Sequence, residues 1–167
     1  MRRRPAPRST GAVVSAGLLA LTAACTAGPV SLDAPALSGS AATACRAFVD
    51  ALPAKVADLG RVDADAGQGF GAAFGDPAIE VRCGVRRPAG LTPTSECTTA
   101  NGVGWYIPED EQSGPSSGRP TDITMTTVGR AEYVEVHVPA DYWPPVNAMV
   151  DLGPALKRTV PEVRPCV

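Results

Sequence analysis

Four cysteines, Cys45, Cys83, Cys97 and Cys166, and one histidine, His137, are the side chains in this 167-residue sequence that could bind a metal, run redox chemistry or cross-link the chain. A fifth cysteine, Cys25, closes an apolar leader. Zinc needs four N/S ligands at short paired spacings, but no C-x2-C pair exists and His137 has no second histidine. A dithiol redox site needs C-x-x-C, which is also absent. An even set of cysteines in an exported chain reads instead as two structural disulfides, with three connectivities open. No metal and no cofactor is expected.

Other patches carry fragments of known motifs. DADAGQG, from Asp63 to Gly69, opens like a calcium loop, yet Gln68 stands where the turn needs glycine and Phe74 where it needs a bidentate acid. GQGFG lacks the third glycine of a dinucleotide loop and no strand precedes it. Glu109, Asp110 and Glu111 open a polar, low-complexity stretch that reads as a solvated hairpin loop, since successive carboxylates do not converge on a cation without a turn to aim them. Glu135 and His137 lie two apart on a strand and share a face, so they form a candidate general-base centre if a nucleophile approaches from another strand. No G-x-S-x-G elbow supplies one, and an outward sheet position is the usual home of such a pair. No catalytic residue is assigned.

Two surfaces are better candidates for binding. Arg82, Arg86 and Arg87 cluster at one turn, and guanidinium forks suit phosphate or carboxylate groups. Pairing with Glu80, Glu96 or Asp76 inside the chain is the competing expectation. In DYWPP, Tyr142 and Trp143 are stiffened by prolines; exposed, they would anchor a partner or glycan, and buried, they would only close the core.

The leader sets where these surfaces would operate. MRRRPAPR is basic, and the 14 residues from Gly11 to Ala24 are apolar but too short to span a bilayer, so residues 1–24 read as a secretory signal. LTAAC resembles a bacterial lipobox, which makes Cys25 the expected lipidated N-terminus; an ordinary signal cut near Ala24 is the alternative. Arg2, Arg3, Arg4 and Arg8 all lie in the signal, so removing them leaves 11 basic against 17 acidic residues, a net charge of −6. That balance argues against nucleic acid as a partner. Membrane attachment would fall to the acyl chains on Cys25. The expected location is the outer face of the cytoplasmic membrane.

Residues 25–40 are small and rich in Pro, Gly and Ser, and read as a flexible tether; residues 41–167 are enough for one domain. Positions Cys45, Phe48, Val49, Leu52, Val56 and Leu59 recur at helical spacing, with Thr43 near the start as a cap and Pro53 as a kink or break. IEVRCGV alternates, placing Ile79, Val81, Cys83 and Val85 inward. Cys45 and Cys83 therefore both point at the core, and a Cys45–Cys83 bond would pin helix to strand. Cys97–Cys166 would then tie down the C-terminus. NGVGWYI, TDITMTTV and RAEYVEVHVP read as further strands, the last with Val134, Val136 and Val138 inward, and a hairpin turn at Gly129. A terminal helical region over 144–163 is interrupted at Gly153 and Pro154. The order implies an α+β fold: an antiparallel sheet of about four strands with helices packed on one face.

Gly75-Asp76-Pro77, Arg82-Cys83-Gly84-Val85 with Arg87 and Pro88, Gly102-Val103 with Trp105, and Gly129-Arg130 before the valine strand together carry a resemblance. With the lipobox, they resemble a family of small actinobacterial membrane lipoproteins known as a domain of unknown function. The resemblance implies location and architecture over nearly the whole exported chain, and no activity. The expected function is a non-enzymatic envelope lipoprotein that binds an envelope protein or cell-wall component; an envelope hydrolase centred on His137 is the alternative.

Overall fold

The computed structural model describes residues 28–112 and 120–166; the apolar leader with its Cys25, residues 113–119 of the acidic loop and Val167 lie outside the described residues. In chain order the elements are β1 (Val30–Ser31), α1 (Gly39–Asp50), β2 (Lys55–Val56), β3 (Leu59–Val62), β4 (Ala64–Asp65), β5 (Gly71–Phe74), β6 (Ile79–Val85), β7 (Thr98–Ala100), β8 (Val103–Tyr106), α2 (Glu109–Gln112), β9 (Ile123–Val128), β10 (Tyr133–Val138), a 3-10 turn (Ala140–Tyr142) and α3 (Val146–Thr159).

The class is α+β, but the sheet is twice the expected size. Eight strands, all antiparallel, run in the order β2-β3-β5-β6-β10-β9-β8-β7, and β1 with β4 forms a separate parallel pair. The strands that raise the count, β2, β3, β5 and β7, have two to four residues each. A two-residue period cannot be recognised over so few positions, and GAAF in β5 is buried throughout rather than alternating.

Two helix boundaries also differ from the apolar spacing. The face from Cys45 to Leu59 does not stay helical: α1 ends at Asp50, ahead of Pro53. Beyond it, Ala57 and Asp58 both adopt positive φ (49° and 65°), the geometry that closes a two-residue hairpin between β2 and β3. Val56 thus reaches the core from a strand. The N-cap is Ser38 rather than Thr43, whose hydroxyl donates to the Gly39 carbonyl from inside the helix at 3.2 Å. At the other end of the chain, α3 passes through Gly153 and Pro154 unbroken. Pro154 cannot donate to the Val150 carbonyl one turn back; Asn101 Nδ2 does so instead at 3.0 Å. Gly153 lets that side chain approach, since a Cβ there would lie 2.9 Å from Nδ2.

Helices α1 and α3 bury Cys45, Phe48, Val49, Met149, Leu152 and Leu156 in one cluster with Ile79, Val81, Cys83, Val103, Trp105, Met125, Val134 and Val136. Burial alternates strictly along β10, so Tyr133, Glu135 and His137 are turned to the opposite, helix-free side. Cys45 and Cys83 are bonded inside the core, with Cα atoms 5.4 Å apart. Cys97 and Cys166 are bonded with Cα atoms 6.0 Å apart, on the other side of the sheet: Val103 and Trp105 join the helix-side core, while Gly104 between them faces this disulfide. A Cβ on Gly104 would come within 2.7 Å of Cys166 Sγ.

The first and last described segments lie on that helix-free side. Val30 N–H donates to Asp63 O at 2.9 Å and Leu32 N–H to Asp65 O at 2.8 Å, and Leu32 covers Gly71, so part of the segment read as a tether is packed on the domain. At the other end, Val163 and Arg164 donate to Gly129 O at 2.7 and 3.0 Å. Only glycine fits at position 129, because φ is +71° and a Cβ would meet the Arg164 carbonyl. No helix among the described residues is long and apolar enough to cross a membrane.

Candidate functional site

The three arginines of the basic turn have different fates. Arg82 sits in mid-strand opposite Glu135 on β10, to which it is ion-paired, and its Nη1 donates to Asp33 O at 3.2 Å. The partner is thus Glu135, not Glu80, Glu96 or Asp76. Arg86 and Arg87 follow the end of β6, are exposed, and have no ion pair among the described residues. The strand that carries them is fixed between β5 and β10 and bonded to α1 through Cys83. The turn is therefore mounted on the most constrained strand of the sheet.

The aromatic turn is separate from it. β6 and β10 are antiparallel, with Val85 opposite Tyr133 and Glu80 opposite His137, so the arginines lie beyond one end of this pair and Tyr142 and Trp143 beyond the other. Strands of this length put about 17–20 Å between the two ends. The aromatic pair is itself split. Tyr142 packs against the core, while Trp143 is 44% exposed. The candidate binding residues are hence not one surface.

His137 is on the helix-free face. Its Nδ1 is 3.3 Å from Thr124 Oγ1 and its Nε2 3.7 Å from an oxygen of Asp122, an exposed carboxylate. Glu111 binds the backbone N–H of Thr124. Among the described residues no group of His, Cys, Asp and Glu has a metal-binding arrangement.

Two clefts flank the basic turn, and Arg87 borders both. One, of about 620 Å³, lies between the N-terminal segment and the turn, lined by Asp33, Pro35, Arg82, Val85, Arg86 and Glu135 among others. The second, of about 710 Å³, lies between the 87–97 loop and the C-terminal segment. Leu91, Val128, Tyr133 and Val163 give it apolar walls, Arg87, Arg130 and Arg164 border it, and the Cys97–Cys166 disulfide is part of its lining. Arg130 is buried: Nη1 donates to Val160 O at 3.0 Å, Nη2 to Gly102 O at 3.2 Å, and Glu162 is 3.6 Å away. Its Nε has no hydrogen-bond partner among the described residues.

Arg130, Arg164 and Tyr133 were not among the sequence candidates for binding. The one available signal was Gly129-Arg130 ahead of the valine strand, read as a turn. Nothing local shows that its arginine folds inward, because the carbonyls that hold it belong to residues 28 positions before and 30 after it.

A family model matches residues 9–165, nearly the entire chain. The chain belongs to the family described as Protein of unknown function (DUF3515). The match takes in the Cys45–Cys83 disulfide, the basic turn and the smaller cleft, and stops one residue short of Cys166. Membership thus covers nearly all of the candidate region without assigning it an activity. No curated protein and no solved structure matches the chain.

Proposed function

We propose that this protein is a non-enzymatic binding or accessory module of the cell envelope, held at the outer face of the cytoplasmic membrane through lipidated Cys25. The observation that carries the reading is the contrast among the arginines. Arg82 is neutralised by Glu135, whereas Arg86 and Arg87 stand exposed without an ion pair among the described residues, on a chain whose net charge is negative. Two adjacent guanidinium groups so displayed suit the acidic groups of an envelope protein or cell-wall polymer. A photo-crosslinking residue at position 89, beside the arginines, tests this in the native envelope. One discrete adduct is expected, lost in the Arg86→Ala/Arg87→Ala double variant; labelling that ignores the double substitution would sink the proposal. Mass analysis of the N-terminal peptide tests the anchor separately, with a diacylglyceryl-modified Cys25 expected.

A second reading rests on the hydroxyl, imidazole and carboxylate of Thr124, His137 and Asp122, which follow one another in the order of a nucleophile, base and orienting acid. Against it, Asp122 is exposed, and His137 borders neither of the two clefts. A fluorophosphonate probe separates the readings: labelling of Thr124 that disappears in His137→Ala would establish the hydrolase.

A further inference from the structure

The cleft under the second disulfide has a charge pattern unlike the rest of the molecule. Three arginines border it, no carboxylate of the described residues lines it, and the chain around it is acidic overall. Arg130 is the most telling of the three. Its side chain is only 4% exposed, its two terminal nitrogens are occupied by backbone carbonyls, and its buried Nε is one of two buried side-chain polar atoms lacking a partner among the described residues. Arg130 is therefore a fixed cation at the back of the cleft: its terminal nitrogens are turned to backbone carbonyls, its buried Nε is out of a ligand's reach, and the half-exposed Glu162 carboxylate lies 3.6 Å from Nη2. The remaining walls are apolar: Leu91, Pro93, Val128, Val163 and the ring of Tyr133.

We infer that this cleft is a binding site for an amphipathic anion, a phosphate or carboxylate group carried on an apolar chain. Arg87 and Arg164, both exposed, take the acid in front of the fixed charge of Arg130, and the apolar walls take the body. A volume of about 710 Å³ is within the range of small-molecule sites, roughly 300–1,000 Å³, and exceeds what a bare anion needs. The site is assembled from distant parts of the chain. Its two walls, the loop ending at Cys97 and the tail ending at Cys166, are joined covalently by one bond, so the cleft has its full shape only when that bond is closed. This site is independent of the anchor at Cys25 and shares only Arg87 with the proposed partner surface, so substitution of Arg164, which that surface does not include, separates the two.

Calorimetric titration of the full chain, with both disulfides closed, tests the inference with four probes: lysophosphatidate and palmitate below their micellar concentrations, the uncharged monoacylglycerol of the same chain, and inorganic phosphate. One or both acidic amphiphiles should bind, and their order identifies the preferred headgroup. The monoacylglycerol and inorganic phosphate should each bind at least tenfold more weakly than the better of them. Arg164→Gln, at an exposed position where folding is not at stake, should weaken the acidic amphiphiles about tenfold and leave the monoacylglycerol unchanged. Opening the bond in Cys97→Ser/Cys166→Ser should weaken them further. Equal binding of the monoacylglycerol would remove the arginines from the site, equal binding of inorganic phosphate would remove the apolar walls, and no binding of either acidic amphiphile would overturn the proposal.

Discussion

The two faces of the sheet are stapled in opposite ways. On the helix side, Cys45–Cys83 is wholly buried, surrounded by the packed cluster of α1, α3 and the central strands. On the helix-free side, Cys97–Cys166 is half-buried and joins two irregular segments to an edge of the sheet beside a cleft. The first bond reinforces contacts that apolar burial already favours. The second substitutes for contacts that short, turn-rich segments cannot make. One face therefore supplies stability, and the other spends a covalent bond on holding a surface in shape.

Paired removal of the disulfides tests that division most severely. Chain entropy alone ranks them the other way, because the Cys97–Cys166 loop spans 69 residues and the Cys45–Cys83 loop 38, although both come to about 4 kcal/mol. If packing context decides, Cys45→Ala/Cys83→Ala should lose about 5 kcal/mol, the added part being the cavity left in the core. Cys97→Ala/Cys166→Ala should lose only about 1–2 kcal/mol, since its tail can detach locally while the domain stays folded. Urea unfolding midpoints measure both, and a larger loss in the second variant would break the comparison.

A smaller effect comes from Gly104→Ala. The added methyl would lie 2.7 Å from Cys166 Sγ, so it should displace the second disulfide while leaving the Val103 and Trp105 side of β8 in place. A loss of about 1 kcal/mol is expected, with faster hydrogen exchange confined to residues 161–166. Exchange that instead rises across α1 and α3 would show that the two faces are mechanically one. The smallest effect belongs to Arg82 and Glu135, both about a quarter exposed on the helix-free face. A double-mutant cycle should give a coupling of about 1 kcal/mol or less, shrinking as salt is added.

The difference between the faces also explains what the sequence could reveal. IEVRCGV and YVEVHV are six or seven residues long and alternate regularly as far as Cys83 and through Val138, so Ile79, Val81, Cys83, Val134, Val136 and Val138, and the meeting of Cys83 with a helix bearing Cys45, could be read directly. Val85 is the exception: alternation predicts it inward, but Gly84 takes a φ of +78° and the register shifts there, so Val85 pairs with Tyr133 and lies outside the core. The short strands could not. KV and TTA carry no measurable period, and the spacing that extended α1 to Leu59 arose because Val56 and Leu59 serve the same core from a hairpin. Pro154 looked like a helix break because the compensating donor to the Val150 carbonyl, Asn101, lies 49 residues before Val150. Arg130 was the deepest omission: arginine is ordinarily an outside residue, and its burial depends on carbonyls from two distant turns. Exposed Arg86 and Arg87 could be named as a cluster, but nothing in their spacing distinguished them from Arg82, whose partner is set by strand register.

The docking of β1 against β4 has a mechanical consequence for the proposed anchor. Val30 is already held by the domain, so only four residues lie between it and Cys25, five Cα–Cα steps with a reach of at most about 18 Å at full extension. With Cys25 in the outer leaflet, the leash would be shorter than the membrane is thick, about 40 Å with its headgroups. The domain would hover against the lipid surface with limited freedom to turn, its β1 edge toward the bilayer. A partner of Arg86 and Arg87 would then have to be met in that thin layer, at a height fixed by the leash and not by the partner.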